Sequence, residues 1–170
     1  FVLKTVLFVC SGNTCRSPMA EAIFDELSDD HPRLRNNVKC ASAGTMAFDG
    51  DRMMDHALDA LEKMGIDGSR HRSKRLNERL VDEADIILTM EACHMDELEA
   101  LYPEAMEKTH TLKGYVAGVE GYPDDSEDEY SVDDPYRMPL DTYEEVACEI
   151  REAIEALLGI LDRQIEEEEG

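Results

Sequence analysis

The chain has 170 residues, 40 acidic and 17 basic, with a formal net charge of -23 and 42% hydrophobic side chains. That length predicts one domain able to bury about 68–70% of its unfolded surface, and the hydrophobic share excludes a disordered composition. The charge argues against nucleic acid and anionic membrane as partners, because phosphates repel such a surface. No apolar run reaches the roughly 18 residues that a membrane span needs.

Phe1 to Cys10 is apolar but lacks a small-residue cleavage site and runs straight into a motif, so it reads as a first strand and not a signal peptide. Phe1 in place of Met points to a trimmed start. Within this segment Thr5–Val9 has the composition of a buried parallel strand. Ser17-Pro18 then opens a helix with Ala22, Ile23, Phe24 and Leu27 on its apolar side, ended by His31-Pro32. Val38–Ala43 is a second strand closed by Gly44, and Met54, Ala57, Leu58, Leu61 and Met64 recur at helical spacing before Gly65 stops them. The Met-rich stretch at 53–64 reads as core. Ala84–Met90 is a third strand, Glu91–Leu101 the helix after it, and Thr109–Val116 holds a fourth strand. Gly118–Pro139 lacks periodicity and reads as a long, acidic loop. Val146, Ile150, Ala153, Leu157, Leu161 and Ile165 then mark a closing helix with an acidic tail at 166–170. The pattern predicts a single α/β domain over 1–170. Its architecture is three-layered, a twisted four-stranded parallel sheet flanked by helices, with ligands bound at the carboxyl ends of the strands.

The five cysteines, Cys10, Cys15, Cys40, Cys93 and Cys148, are odd in number and form no C-x-x-C. Neither a disulfide framework nor a structural zinc site is expected. Cys93 and His94 are adjacent, and neighbours on a helix do not face one site. No metal or other cofactor is predicted, and reduced cysteines fit a cytoplasmic protein.

The chemistry concentrates after the first strand, where residues 10–17 read Cys-Ser-Gly-Asn-Thr-Cys-Arg-Ser. Between a strand and a helix, successive backbone N–H groups can curl into an anion nest. Gly12 and Asn13 tolerate the positive φ of so tight a loop, and the planar fork of Arg16 holds two phosphate oxygens at once. The donors that bind phosphate also favour a thiolate at Cys10, and Ser17 can donate to its sulfur. Ser11, Gly12, Asn13, Thr14, Cys15, Arg16 and Ser17 are therefore the expected phosphate-binding residues. The alternative is that Cys10 merely fills the core.

The stretch Val6–Glu21, VLFVCSGNTCRSPMAE, resembles the signature of the low-molecular-weight cysteine phosphatases. Ser42-Ala43-Gly44, His71, ADIILTM at 84–90 and Asp134-Pro135-Tyr136 extend the resemblance over roughly residues 4 to 163. It implies a nucleophile at Cys10, a phosphate clamp at Arg16 and a general acid at Asp134, which is favoured over Asp133 because it precedes Pro135. Asn13, Ser17, Ser42 and His71 would form the supporting polar network, and Tyr136 an aromatic wall for substrate. Such an enzyme hydrolyses phosphorylated side chains of proteins through a phosphocysteine, and a monomer is assumed.

Within this family Thr14 resembles the bacterial protein-arginine phosphatases, whereas the phosphotyrosine branch usually has a bulky aliphatic residue there. Phosphoarginine is the favoured substrate and phosphotyrosine the alternative. The run Thr111–Val116 resembles the arginine branch more weakly. An arsenate reductase would need more redox cysteines than Cys93 in the region after the third strand, and a non-catalytic phosphate-binding module would have no use for the full set of Cys10, Arg16 and Asp134. The resemblance also leaves open a disulfide between Cys10 and Cys15 as protection against oxidation. The loop before Asp134 is longer and more acidic than the family pattern, through Glu120, Asp124, Asp125, Glu127, Asp128, Glu129 and Asp133. It reads as a solvated loop or as a steering rim for phosphosites in basic proteins.

Overall fold

The computed structural model describes residues 4–119 and 127–170. Its centre is a four-stranded, all-parallel sheet of order β2-β1-β3-β4, formed by β1 (Lys4–Cys10), β2 (Val38–Gly44), β3 (Ile86–Thr89) and β4 (Thr109–Thr111). β1 lies inside the sheet and is buried on both faces, which explains its unbroken apolar sequence. Val6 and Phe8 point into one core with Met19, Ile23, Phe24, Leu61 and Leu157. Leu7 and Val9 point into the other with Ile87, Val81 and Leu98. The two-residue period places Cys10 on the face of Val6 and Phe8. The α/β fold expected from the sequence is therefore the one observed, with helices packed on both faces.

α1 (Arg16–Ser28), α3 (Asp55–Lys63) and α7 (Leu140–Glu169) cover the first face. α3 stops as its sequence demands. Gly65 has φ 77°, the Gly65 N–H donates to Glu62 O and the Ile66 N–H to Leu61 O, the paired bonds of a Schellman turn. All six apolar residues used to predict α7 are buried. The helix also starts earlier, at Leu140, and continues through the expected acidic tail. Arg33 binds Asp162 at 3.2 Å and Lys4 binds Glu168 at 3.1 Å across those last turns. No helix among the described residues is long and apolar enough to cross a membrane.

Several expectations are corrected. α1 begins at Arg16 with Cys15 as N-cap, so Ser17 is not its cap. Pro32 does not close that helix but opens the short α2 (Pro32–Arg35), because a first-turn proline needs no N–H partner. α4 (Glu78–Glu83) escaped the sequence reading. Its signal is Asn77, whose side chain accepts the Leu80 N–H at 2.9 Å. The fourth strand ends at Thr111, not Val116, because the Thr111 hydroxyl caps α6 (Leu112–Val116) through the Gly114 N–H. α5 spans Ala92–Leu101, with a 3₁₀ segment at Pro103–Lys108 after it. The supposed structureless loop contains another at Glu127–Tyr130 and returns to the sheet, the Val132 N–H donating to Met90 O. Glu120, Asp124 and Asp125 lie outside the described residues.

Gly44 ends β2 opposite Cys10 and marks where the sheet supports the loop after β1. A Cβ there would stand 2.5 Å from Ser11 O and 2.9 Å from Asn13 N, both backbone atoms that cannot swing away. Gly44→Ala should therefore displace the loop, at a cost of about 1–3 kcal/mol in denaturant melts, and should lower kcat/KM on an aryl phosphate by at least about tenfold. Wild-type stability and turnover in this variant would show that the loop does not rest on Gly44.

Candidate active site

The loop between β1 and α1 is built around Asn13. Of the two residues expected to adopt left-handed backbone, Asn13 does, with φ 54°, and Gly12 does not. A Cβ at position 12 would meet only Thr14 Oγ1, at 3.5 Å. The Asn13 N–H points at Cys10 Sγ, 3.3 Å away. Its buried side chain is saturated: Oδ1 accepts the Lys74 N–H at 2.9 Å, while Nδ2 donates to Ser17 Oγ and Ser42 Oγ, both at 2.9 Å. Because Ser17 Oγ already accepts from Asn13, its single proton is left for Cys10 Sγ, 2.8 Å away. Ser42 in turn donates to Glu21 Oε2 at 3.3 Å. His71 Nε2 donates to Asn13 O at 2.7 Å, with Nδ1 facing the same Glu21 oxygen at 3.8 Å. The supporting residues named from the sequence thus meet in one network around the sulfur. Glu21, which the sequence reading quoted only inside the motif, joins it.

Arg16 is buried beside this loop. Its Nη1 binds Glu91 Oε2 at 2.7 Å and donates to Val132 O at 2.8 Å, and its Nη2 lies 3.6 Å from Asp134 Oδ2. Burial pulls its pKa down, but the bond to Glu91 and the neighbouring negative groups outweigh burial, so the net shift is upward. Asp134 is half exposed, and its Oδ1 accepts the Tyr136 N–H at 3.1 Å. Tyr136 is exposed, with the Arg137 guanidinium 5.3 Å from its ring centre. Cys10, Ser11, Gly12, Thr14, Cys15, Arg16, Asp134 and Tyr136 line one pocket of about 170 Å³. Asp134, rather than its neighbour Asp133, lines that pocket and faces Arg16. Cys15 is a free thiol like Cys10, and burial first, then proximity to Cys10, pushes its pKa up to about 12.

Three residues at this site were missed from the sequence. Met54, assigned to the core, lines the same pocket. Glu91 and His94 form a reciprocal capping box at the start of α5. The Glu91 N–H donates to His94 Nδ1 at 3.1 Å, so the ring proton sits on Nε2 and goes to Ser11 Oγ, 3.0 Å away. Their signal was the Glu-x-x-His spacing just past a strand whose carboxyl end faces the loop. Contrary to the expectation for adjacent residues, Cys93 and His94 bring ligand atoms, with Glu91, within 4.8 Å of one another. Both nitrogens of His94 are already engaged, so this trio does not fit a metal ion.

Burial, then the Arg16 charge, pushes the His94 pKa down to about 3 from an ordinary 6.5. Between those values the unfolded chain takes up a proton that the folded chain refuses. This contribution to stability is full above about pH 6.5 and is lost as pH falls toward 3, by up to about 1.4 kcal/mol per unit. His94→Asn keeps an acceptor near Nδ1 but cannot titrate. Urea melts should show a shallower acid slope for this variant between about pH 6.5 and 4.5. Equal slopes would mean that His94 protonates freely in the fold.

Comparison with known proteins agrees with this geometry. Residues 5–168 match the family model described as low molecular weight phosphotyrosine protein phosphatase. A protein-arginine-phosphatase of Geobacillus stearothermophilus is 35% identical over 152 residues, covering 89% of this chain and 92% of that protein. The structure of the YwlE arginine phosphatase from the same organism superposes with a TM-score of 0.84 at 34% identity, covering 96% of both chains. A low molecular weight protein tyrosine phosphatase structure from T. tengcongensis superposes with a TM-score of 0.80 at 41% identity, covering 92% of this chain and 98% of that one. With the family model matched over nearly the whole chain, the protein belongs to the low molecular weight phosphotyrosine protein phosphatase family.

Proposed function

We propose that the protein hydrolyses phosphorylated side chains of proteins through a phosphocysteine, with phosphoarginine as the favoured substrate. The observation that carries this reading is the position of Cys10 Sγ in a pocket of about 170 Å³ that Arg16 and Asp134 also line, with the Ser17 hydroxyl and the Asn13 N–H aimed at the sulfur. The Cys10 thiolate attacks phosphorus, the S–P bond forms, and the bond to the leaving nitrogen breaks. Loop N–H groups and Arg16 take the charge on the equatorial oxygens. Asp134 protonates the departing guanidino nitrogen, then removes a proton from the water that cleaves the S–P bond and frees Cys10. Ser17 donates to the sulfur when it is displaced, which makes it a better leaving group. Ser11, Gly12, Asn13 and Thr14 shape the cradle, while Ser42 and His71 hold Asn13 in place. The whole acts as one phosphatase domain in the cytoplasm, on phosphoproteins and not on nucleic acid.

Thr14 and the likeness to the Geobacillus stearothermophilus arginine phosphatase support phosphoarginine over phosphotyrosine. The hydroxyl of Thr14 gives the pocket wall a polar group for a guanidino donor. The phosphotyrosine reading keeps its standing through the 41% identity to the T. tengcongensis protein. Steady-state rates on matched phosphoarginine and phosphotyrosine peptides decide between them.

Cys10→Ser should fold normally and lose more than about a thousandfold in turnover. Asp134→Asn should lose about 10²–10⁴-fold on poor leaving groups and much less on an activated aryl phosphate. A damaging Asp133→Asn beside a harmless Asp134→Asn would reassign the acid.

Thr14→Ile removes the hydroxyl and narrows the pocket mouth, both of which penalise a guanidino group more than a phenol. A lost polar contact is worth about 1–3 kcal/mol. The ratio of kcat/KM should therefore move toward phosphotyrosine by at least about tenfold. An unchanged ratio would remove Thr14 from substrate choice.

A further inference from the structure

α3 starts against the usual chemistry of a helix N-terminus. Ser, Thr, Asp and Asn are favoured at the N-cap because their side chains accept a free N–H of the first turn. Here the N-cap is Met54, with φ -61° and ψ 145°, and no side chain caps the helix. Local rules are broken most often where a residue serves the site instead. Met53, next to it, is buried in the core as the sequence reading expected of both. Met54 is only half-buried, packed against the same core from its edge.

Three contacts fix where Met54 sits. Its N–H donates to Thr14 O at 2.9 Å, which ties it to the phosphate loop. It lines the pocket with Cys10, Thr14, Arg16, Asp134 and Tyr136. Its sulfur accepts from the hydroxyl of Tyr143 at 3.8 Å, and Tyr143 is only 1% exposed. Burial and nearby negative groups raise the Tyr143 pKa, which keeps that hydroxyl protonated and able to donate.

We infer that Met54 is a specificity-determining wall, which grips the apolar stem of the phosphorylated side chain while the loop and Arg16 hold its phosphoryl group. The inference rests on the function proposed above. Phosphoarginine has a flexible chain of methylenes between its phosphoryl-bearing end and the backbone. An unbranched, polarisable thioether can follow such a chain. Tyr136 and Met54 line the pocket, one aromatic and one aliphatic. A Ser, Thr or Asp at position 54 would cap α3 better, but it would leave no apolar side chain there for the stem.

The test uses the full chain carrying Met54→Ser and Met54→Leu, with kcat and KM on phosphoarginine and phosphotyrosine peptides and the Ki of inorganic phosphate. Inorganic phosphate has no stem, so its Ki reads the loop alone. Met54→Ser should raise KM for the phosphoarginine peptide by at least about fivefold, with a smaller fall in kcat and a phosphate Ki within about twofold of wild type. Met54→Leu should recover most of the loss. The cap gained by Ser offsets the packing that it removes, so the melting temperature should stay within about 4 °C. If the Ser variant melts earlier, Met54→Gln, polar and of equal length, carries the same expectation. An unchanged KM in the polar variants, or a phosphate Ki that rises in parallel with KM, would overturn the wall. A wild-type enzyme that turns over neither peptide would overturn the substrate reading and the wall together, an outcome distinct from a failure confined to the variants.

Discussion

Asn13 holds the loop in the one shape that the rest of the site requires. A chain leaving β1 must reverse sharply to enter α1, and it must do so with its N–H groups turned inward. A left-handed residue in the middle of the loop achieves this turn, but outside glycine such backbone is uncommon and needs support. The support is a full set of hydrogen bonds, the side-chain amide to Ser17, Ser42 and the Lys74 N–H, and the carbonyl to His71. Losing any one partner strands a buried polar group, a penalty of about 1–3 kcal/mol. That is why residues from β2, from the segment before α4 and from α1 are all oriented toward one side chain.

The other half of the site is fastened by Arg16, whose buried charge needs partners more urgently than any neutral group. Glu91 supplies the counter-charge, and the Val132 carbonyl takes another N–H, so the segment bearing Asp134 is tied to the same guanidinium as the β3–α5 turn. His94 adds a bond to Ser11 on the opposite side of the loop. A net charge of -23 is no obstacle to anion binding here. Exposed charges are screened over about 8–10 Å at ordinary ionic strength, whereas the buried Arg16 and the Asn13 N–H belong to the pocket loop itself. Local donors win over the distant surface.

How much of this was legible in the sequence follows from how local each signal is. Cys10 to Ser17 is a continuous segment on a strand-to-helix turn, so both its position and its chemistry could be read directly. β1 and α7 were equally clear, the first from an unbroken apolar run and the second from apolar residues repeating over many turns. Thr111 is the opposite case. The segment Thr109–Val116 was expected to hold a fourth strand, and the Thr111 hydroxyl, which accepts the Gly114 N–H, marks where the chain turns into α6. Ser17 was assigned to a cap because serine usually caps, but it lies inside the first turn of α1, where its hydroxyl bonds to Asn13 and Cys10 instead. Glu91, His94 and Met54 gain their roles from segments far away in sequence: the Glu-x-x-His spacing marks a helix start, but not the contacts of those residues with Arg16 and Ser11. Asp134 needed the family resemblance, since in so acidic a chain a loop carboxylate carries no signal of its own.

The helix starts show the same division between structural and site demands. α4 and α6 begin with the side-chain caps of Asn77 and Thr111, and α5 begins with its capping box, so their first-turn donors are partly satisfied. α2 has Pro32 in its first turn and α7 follows Pro139, where the fixed ring angle favours a start without a side-chain cap. α1 has Pro18 in its first turn but no side-chain cap, and α3 has neither device. Their N-caps are Cys15 and Met54, neither side chain makes a capping bond, and both line the pocket that holds Cys10. An N-terminal side-chain cap would set an acceptor oxygen at the helix end beside the pocket and weaken the positive end of the helix dipole there. Leaving α1 and α3 uncapped costs about 1 kcal/mol each by ordinary capping values. Each of these two ends gives up a capping bond where its N-cap residue lines the pocket, while the other helix starts hold the frame.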